Sequence, residues 1–222
     1  MRKTIVASTL ALAAFAFGSE ARAWGLHNGD TLNPGDNMIY GEVGWPDLTL
    51  GFQHGLNDKV DIGFRFSLDY GLDYTTITEL GLGMRVPIRI TPYRSGKLSF
   101  QVRIEPGLKF DSFGHSRFNG GGFYDDGELH FGLQIPIGLD FGIHLSREAT
   151  LAFGFDMPLY INLTNGAGAA IPLLFGPGFE YHVNEHIALG LNTRFGPSIF
   201  AVRGGSYTDF GLITQGFFAY RL

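Results

Sequence analysis

The sequence predicts an all-β fold: a closed antiparallel β-barrel of about ten strands, or roughly eight to twelve once strand ends are allowed to shift. Three observations predict it. Long stretches alternate between large apolar residues and polar or small ones, the period of an extended chain with two unlike faces. No stretch carries the 3.6-residue period of an amphipathic helix. The 222 residues include 33 glycines, well above a usual share of about 7%, and many of them fall on the polar side of the alternation.

The first two candidate strands, 37–45 and 48–56, flank the turn-forming Trp45-Pro46-Asp47. The third, 59–70, sets Val60, Ile62, Phe64, Phe66 and Leu68 against Asp61, Gly63, Arg65, Ser67 and Asp69. The fourth, 75–90, opposes Leu80, Leu82, Met84, Val86, Ile88 and Ile90 to Glu79, Gly81, Gly83, Arg85, Pro87 and Arg89. In the fifth, 98–113, Leu98, Phe100, Val102 and Ile104 alternate with Ser99, Gln101, Arg103 and Glu105. The sixth, 128–145, reads ELHFGLQIPIGLDFGIHL, far longer than the roughly five or six residues of an ordinary strand. The seventh, 150–163, sets Leu151, Phe153, Phe155, Met157, Leu159 and Ile161 against Ala152, Gly154, Asp156, Pro158, Tyr160 and Asn162. The last three span 171–183, 187–200 and 208–222. Pro87, Pro136, Pro158, Pro172, Pro177 and Pro197 lie inside these strands, where each removes a ladder donor, so bulges or shortened strands are expected around them.

The connections alternate in length. Asn57-Asp58, 91–97 (TPYRSGK), 146–149 and 184–186 are short and turn-like, while 71–74, 114–127, 164–170 and 201–207 are mostly longer. An even strand number with short turns at one end is how a membrane barrel is built. A soluble sandwich or a lipocalin-like barrel uses the same alternation. Either would show water a face rich in Lys, Glu and Thr. Here that face carries Gly63, Gly81, Gly83, Gly107, Gly132, Gly138, Gly142, Gly154, Gly190 and Gly196. Glycine weakens a strand and is reasonable where the face lines a narrow interior. Strand length agrees, since about 9–11 tilted residues cross a bilayer. The expected partner of the apolar face is therefore lipid.

The N-terminus is expected to be a secretory signal peptide, residues 1–23, leaving a barrel of 24–222. Met1-Arg2-Lys3 supplies positive charge, Thr4 to Phe17 is nearly all apolar, and Ala21-Arg22-Ala23 fits a cleavage site. Of 16 Lys+Arg and 21 Asp+Glu, cleavage removes Arg2, Lys3, Arg22 and Glu20, so 13 face 20 and the net charge becomes −7. An acidic exported chain does not suit nucleic-acid binding. The absence of Cys removes disulfides and thiolate metal sites. The charge-free stretch 157–179 is broken by Pro158, Pro172, Pro177 and four glycines, so it is expected to form strand, loop and strand, not a spanning helix.

With these features the chain resembles the bacterial outer-membrane β-barrel proteins as a class, over its whole length. The final strand carries Phe218 and Tyr220 in alternation, with Leu222 where that class usually ends in Phe. The resemblance implies an outer-membrane location, both termini periplasmic, and recognition by the outer-membrane insertion machinery. It reaches no particular family, and it carries over no functional residues.

The residues expected to line the lumen are Asp61, Arg65, Glu79, Arg85, Arg89, Arg103, Glu105, Asp140, Asp156, Glu180 and Arg194, with Glu42, Lys109 and Arg221 on the same face. Mixed signs predict ion pairs that fill a small barrel, because buried charges need partners. Aromatic residues near strand ends, chiefly Trp45, Tyr70, Phe110, Tyr181 and Tyr220, are expected at the membrane interfaces. The function expected is a structural or interaction protein with a largely filled lumen, acting through its loops and not as an enzyme. The alternatives are a narrow passive pore and, less favoured, a lipid hydrolase using His115-Ser116, whose spacing departs from the His-x-Ser of lipid A deacylases. His182 and His186 are four apart, a spacing useful on a helix. Asp125-Asp126 with Glu128 lacks the twelve-position calcium-loop pattern. Neither cofactor nor metal is expected.

Overall fold

The computed structural model describes residues 24–71, 80–112, 129–164, 168–202 and 205–222. The expected signal peptide, Glu79, His115, Ser116, Asp125, Asp126 and Glu128 lie outside these residues.

Ten antiparallel staves form one closed barrel, and no helix occurs among the described residues. They are β1 (Asn37–Trp45), β2 (Asp47–Asn57), β3 (Val60–Asp69), β4 (Leu80–Arg85 and Ile88–Ser95), β5 (Leu98–Ile104 and Gly107–Ser112), β6 (Leu129–His144), β7 (Ala149–Asn162), β8 (Ala169–Pro172 and Leu174–His182), β9 (Ile187–Val202) and β10 (Gly205–Arg221). Each pairs with its sequence neighbours, and β1 closes the barrel on β10 from Met38↔Arg221 to Trp45↔Thr214. Closure leaves no free edge.

The alternation sorts the faces as the pattern requires. Phe153, Leu191 and Val43 point outward, with 53%, 53% and 61% exposure, whereas Asp61, Asp140 and Arg194 point inward at 0%. Among the described residues, buried polar side chains outnumber buried apolar ones more than twofold, the reverse of a water-soluble core.

The inner glycines receive large neighbours. Tyr40 lies over Gly51, its register partner, and Phe217 over Gly190, likewise directly opposite. Tyr160 covers Gly132, and the Arg194 guanidinium occupies the space beside Gly154. A Cβ at any of these would collide with the side chain it accommodates. The glycines thus make room for inward rings and guanidinia in a narrow barrel.

Three expected connections need correction. The stretch 91–97 is not a turn: β4 continues to Ser95, and the reversal is confined to Gly96 (φ +54) and Lys97. A bulge between Ile90 and Tyr93 absorbs Pro92, so the strand survives a residue that ordinarily ends one. The connection at 164–170 is also displaced, because β8 begins at Ala169, and the one at 201–207 is much shorter than expected, because β9 runs to Val202 and β10 begins at Gly205. Of the internal prolines, Pro87 and Pro172 sit at breaks in their staves, whereas Pro136, Pro158, Pro177 and Pro197 lie in unbroken strands, so the expected shortening holds only in part; all but Pro177 are level with one another. The Val86-Pro87 break in β4 faces the Glu105-Pro106 break in β5, Pro136 opposes Pro158, and the β7–β8 register sets Pro172 level with Pro158. Their carbonyls still accept, as in Val86 N–H to Pro106 O (2.9 Å) and Glu105 N–H to Pro136 O (2.9 Å). Apart from Pro92 and Pro177, the donors missing from the staves are thereby gathered into one belt.

Candidate functional site

The lumen is the candidate site, and it has three layers. The layer nearest the short turns is filled by the chain itself. Residues 24–32, which precede β1, run irregularly inside the barrel and are buried throughout. With no ladder of their own, their backbone groups are satisfied by wall side chains. Glu180 accepts from Leu26 N–H (3.1 Å) and His27 N–H (3.3 Å). Arg89 donates to Gly25 O (2.6 Å) and Leu26 O (3.1 Å). Ser99, Thr91 and Gln101 donate to the carbonyls of Asn28, Gly29 and Asp30, and Asp61 accepts from Leu32 N–H at 3.0 Å. Asp30 contacts Arg94 (2.6 Å) and His144 (3.1 Å). Trp24, Leu26 and Leu32 pack with Met38, Tyr40 and Phe217 in a small apolar core. The Trp24 ring also meets His182 edge-on and lies under Arg221. Gly142 admits the segment, since a Cβ there would strike the Asn28 carbonyl.

The middle layer balances four guanidinia, Arg65, Arg85, Arg103 and Arg194, against four carboxylates, Glu42, Glu105, Asp140 and Asp156. Arg65 holds Glu42 at 2.6 Å, and Glu42 also receives His27 Nε2 at 2.7 Å. Arg103 pairs with Asp156 (2.6 Å) and Glu105 (3.2 Å); Arg194 pairs with Asp140 (3.0 Å) and Asp156 (3.2 Å). Among the described residues Arg85 reaches only Glu105, at 3.5 Å. Above it, Lys109 pairs with Asp69 at 3.2 Å. Asp47 accepts hydrogen bonds from Thr49 (2.9 Å) and Gln215 (2.6 Å).

A cavity of about 510 Å³, counted out to open solvent, extends from His27 at the lumen centre to the Pro46 turn. Its lining includes Asp47, Arg65, Arg85, Arg103, Glu105, Asp156, Asn192 and Gln215, with Pro46, Pro136, Pro158 and Ile213 as its apolar part.

The expected lumen residues Asp61, Arg65, Arg85, Arg89, Glu105, Asp140, Asp156, Glu180 and Arg194 are buried on the inner face, and Arg103 is nearly so. They do not form one cluster. Asp61, Arg89 and Glu180 hold the N-terminal segment, whereas the others form the middle layer. The aromatic residues divide between the two ends. Trp45, Tyr70 and Phe110 lie toward the long connections, Tyr181 and Tyr220 toward the short turns. Phe110, Tyr181 and Tyr220 are exposed on the outside. The Tyr70 hydroxyl instead donates to Gly44 O, with Asp47 O at 3.2 Å, and clamps the β1–β2 turn. His182 and His186 separate: the first is buried beside Glu180 (3.1 Å), the second is exposed and stacks on Tyr220.

Sequence reasoning missed the inserted segment, His144, and the placement of Asp47 in the lumen. The available signal was Trp24, Leu26 and Leu32, three apolar residues outside any strand, next to a glycine-lined interior.

No protein-family model matches the chain, and no curated protein matches it. The fold and its inverted polarity define a closed antiparallel β-barrel with a polar, filled interior. In class it resembles the outer-membrane barrels.

Proposed function

We propose that the chain is an integral outer-membrane β-barrel that does not conduct at rest and serves a structural or interaction role. The observation that carries the reading is the pairing of an apolar exterior with an interior filled by residues 24–32 and balanced ion pairs. Lipid is the solvent that favours such a surface, because a closed barrel pairs backbone polar groups between its strands and leaves no edge. Small barrels of about eight strands are filled by side chains, and open channels arise at about 16–18. Ten staves with an inserted segment stand at the filled end.

Membrane fractionation with a heat-dependent gel shift tests location and fold. Planar-bilayer recording tests the closed lumen. The chain is expected in the outer-membrane fraction with a heat-modifiable band and without conductance steps. Recovery in the soluble periplasmic fraction would overturn the membrane reading, and steady conductance steps would overturn the closed lumen.

A further inference from the structure

The cavity that runs from the middle layer to the Pro46 turn is bordered by two buried charges of opposite sign that the protein leaves incompletely matched. Asp47 is 5% exposed, and both of its side-chain hydrogen bonds, from Thr49 and Gln215, fall on Oδ1. It makes no ion pair among the described residues. Arg85 is 8% exposed and makes no hydrogen bond among the described residues; its Nε is buried without a partner. Its one ion pair, 3.5 Å from Nη1 to Glu105 Oε2, is to an oxygen that also lies 3.8 Å from Arg65. A guanidinium has five donors and a carboxylate about four acceptor sites, and leaving them unmatched away from bulk water is costly. Asp47 lies within electrostatic range of Arg65 and, more weakly, of Arg85, and forms an ion pair with neither.

We propose that this cavity is a binding site for a small zwitterion of the α-amino acid class. The ligand carboxylate takes an in-plane N–H edge of the Arg85 guanidinium, a planar match that favours two parallel bonds. The ligand ammonium takes the free oxygen of Asp47. A short apolar side chain meets one or more of Pro46, Pro136, Pro158 and Ile213, the apolar residues of the lining. Charge balance selects this class. A lone anion would leave Asp47 unmatched and add negative charge beside Glu105 and Asp156. A lone cation would do the converse to Arg85. A zwitterion meets both groups and leaves the balance of the middle layer unchanged. The inference goes beyond the proposed function and does not depend on whether the barrel conducts.

The test is ligand-observed NMR on the refolded full chain, with ¹³C-labelled L-alanine as the probe and acetate and ethylammonium as its two half-charges. L-alanine is expected to bind, with each half-charge at least tenfold weaker. Asp47→Asn and Arg85→Gln are each expected to weaken L-alanine tenfold or more, while Arg147→Gln in a distant turn leaves it unchanged. Folding of each variant is read from the heat-dependent gel shift. If a variant does not fold, the three probes on the unaltered chain still decide. Absence of L-alanine binding at tens of millimolar overturns the site. Acetate or ethylammonium binding as tightly as L-alanine overturns the zwitterion assignment.

Discussion

Arg89 on β4 grips Asp61 on β3 through two parallel contacts, Nε to Oδ1 at 2.8 Å and Nη2 to Oδ2 at 2.7 Å. The remaining nitrogen, Nη1, donates to the carbonyls of Gly25 and Leu26, while Asp61 also accepts from Leu32 N–H and from Gln53 at 2.5 Å. One ion pair thus joins the barrel wall to both ends of the inserted segment.

Arg89→Met is therefore expected to destabilise the barrel by about 3–5 kcal/mol, because it strands a buried carboxylate. Adding Asp61→Leu should recover part of that loss by removing the stranded charge, while the Leu32 N–H and the Gly25 and Leu26 carbonyls lose their wall partners. Urea unfolding midpoints of the refolded single and double variants measure the coupling; equal midpoints for the two would contradict the pairing.

The inserted segment can be displaced sterically. Gly142→Val places a side chain where the Asn28 carbonyl lies. The chain has no cysteine, so a single Thr31→Cys reports directly on the segment, which is buried at that position. Maleimide labelling of the folded Thr31→Cys protein is expected to be slow, and at least tenfold faster when Gly142→Val is added. Equal rates would mean that the segment is not held by this contact.

On the outer face, Phe155 sits midway along β7 between Leu139 and Phe175. If lipid surrounds the barrel, Phe155→Arg should cost about 2–4 kcal/mol in bilayers, the range for a cation near the midplane. Thr208→Arg, near the end of the β9–β10 hairpin, should cost about 0–1 kcal/mol. Refolding titrations into phospholipid vesicles give both values; similar costs at the two depths would argue against a spanning barrel.

Tyr70→Phe keeps the ring against Trp45 and removes the hydroxyl that bonds the Gly44 and Asp47 carbonyls. The expected loss is about 0.5–1.5 kcal/mol, the net contribution of an ordinary hydrogen bond, read from the same unfolding midpoints. An unchanged midpoint would mean that the ring alone carries the contact.

The barrel was legible because a strand's period of two assigns each residue a face without reference to anything distant. Leu151 and Phe153 against Ala152 and Gly154 settle the orientation of β7 from composition alone, and ten such segments imply closure. The run at 91–97 was not legible: Pro92 reads as a terminator unless Phe100 and Val102 on β5 are known to tolerate a bulge there.

The lumen divides in the same way. That Arg65, Arg103, Asp140 and Asp156 face inward follows from alternation, so the sequence by itself determined an interior of mixed charge lined with glycine. Which guanidinium meets which carboxylate depends on register and stagger across several staves, as Arg194 on β9 reaching Asp140 on β6 illustrates. Only the tertiary structure could decide that, and only it could place residues 24–32 inside. Their backbone is held by side chains from β3, β4, β5 and β8, and a segment without periodicity carries no local record of the wall that surrounds it.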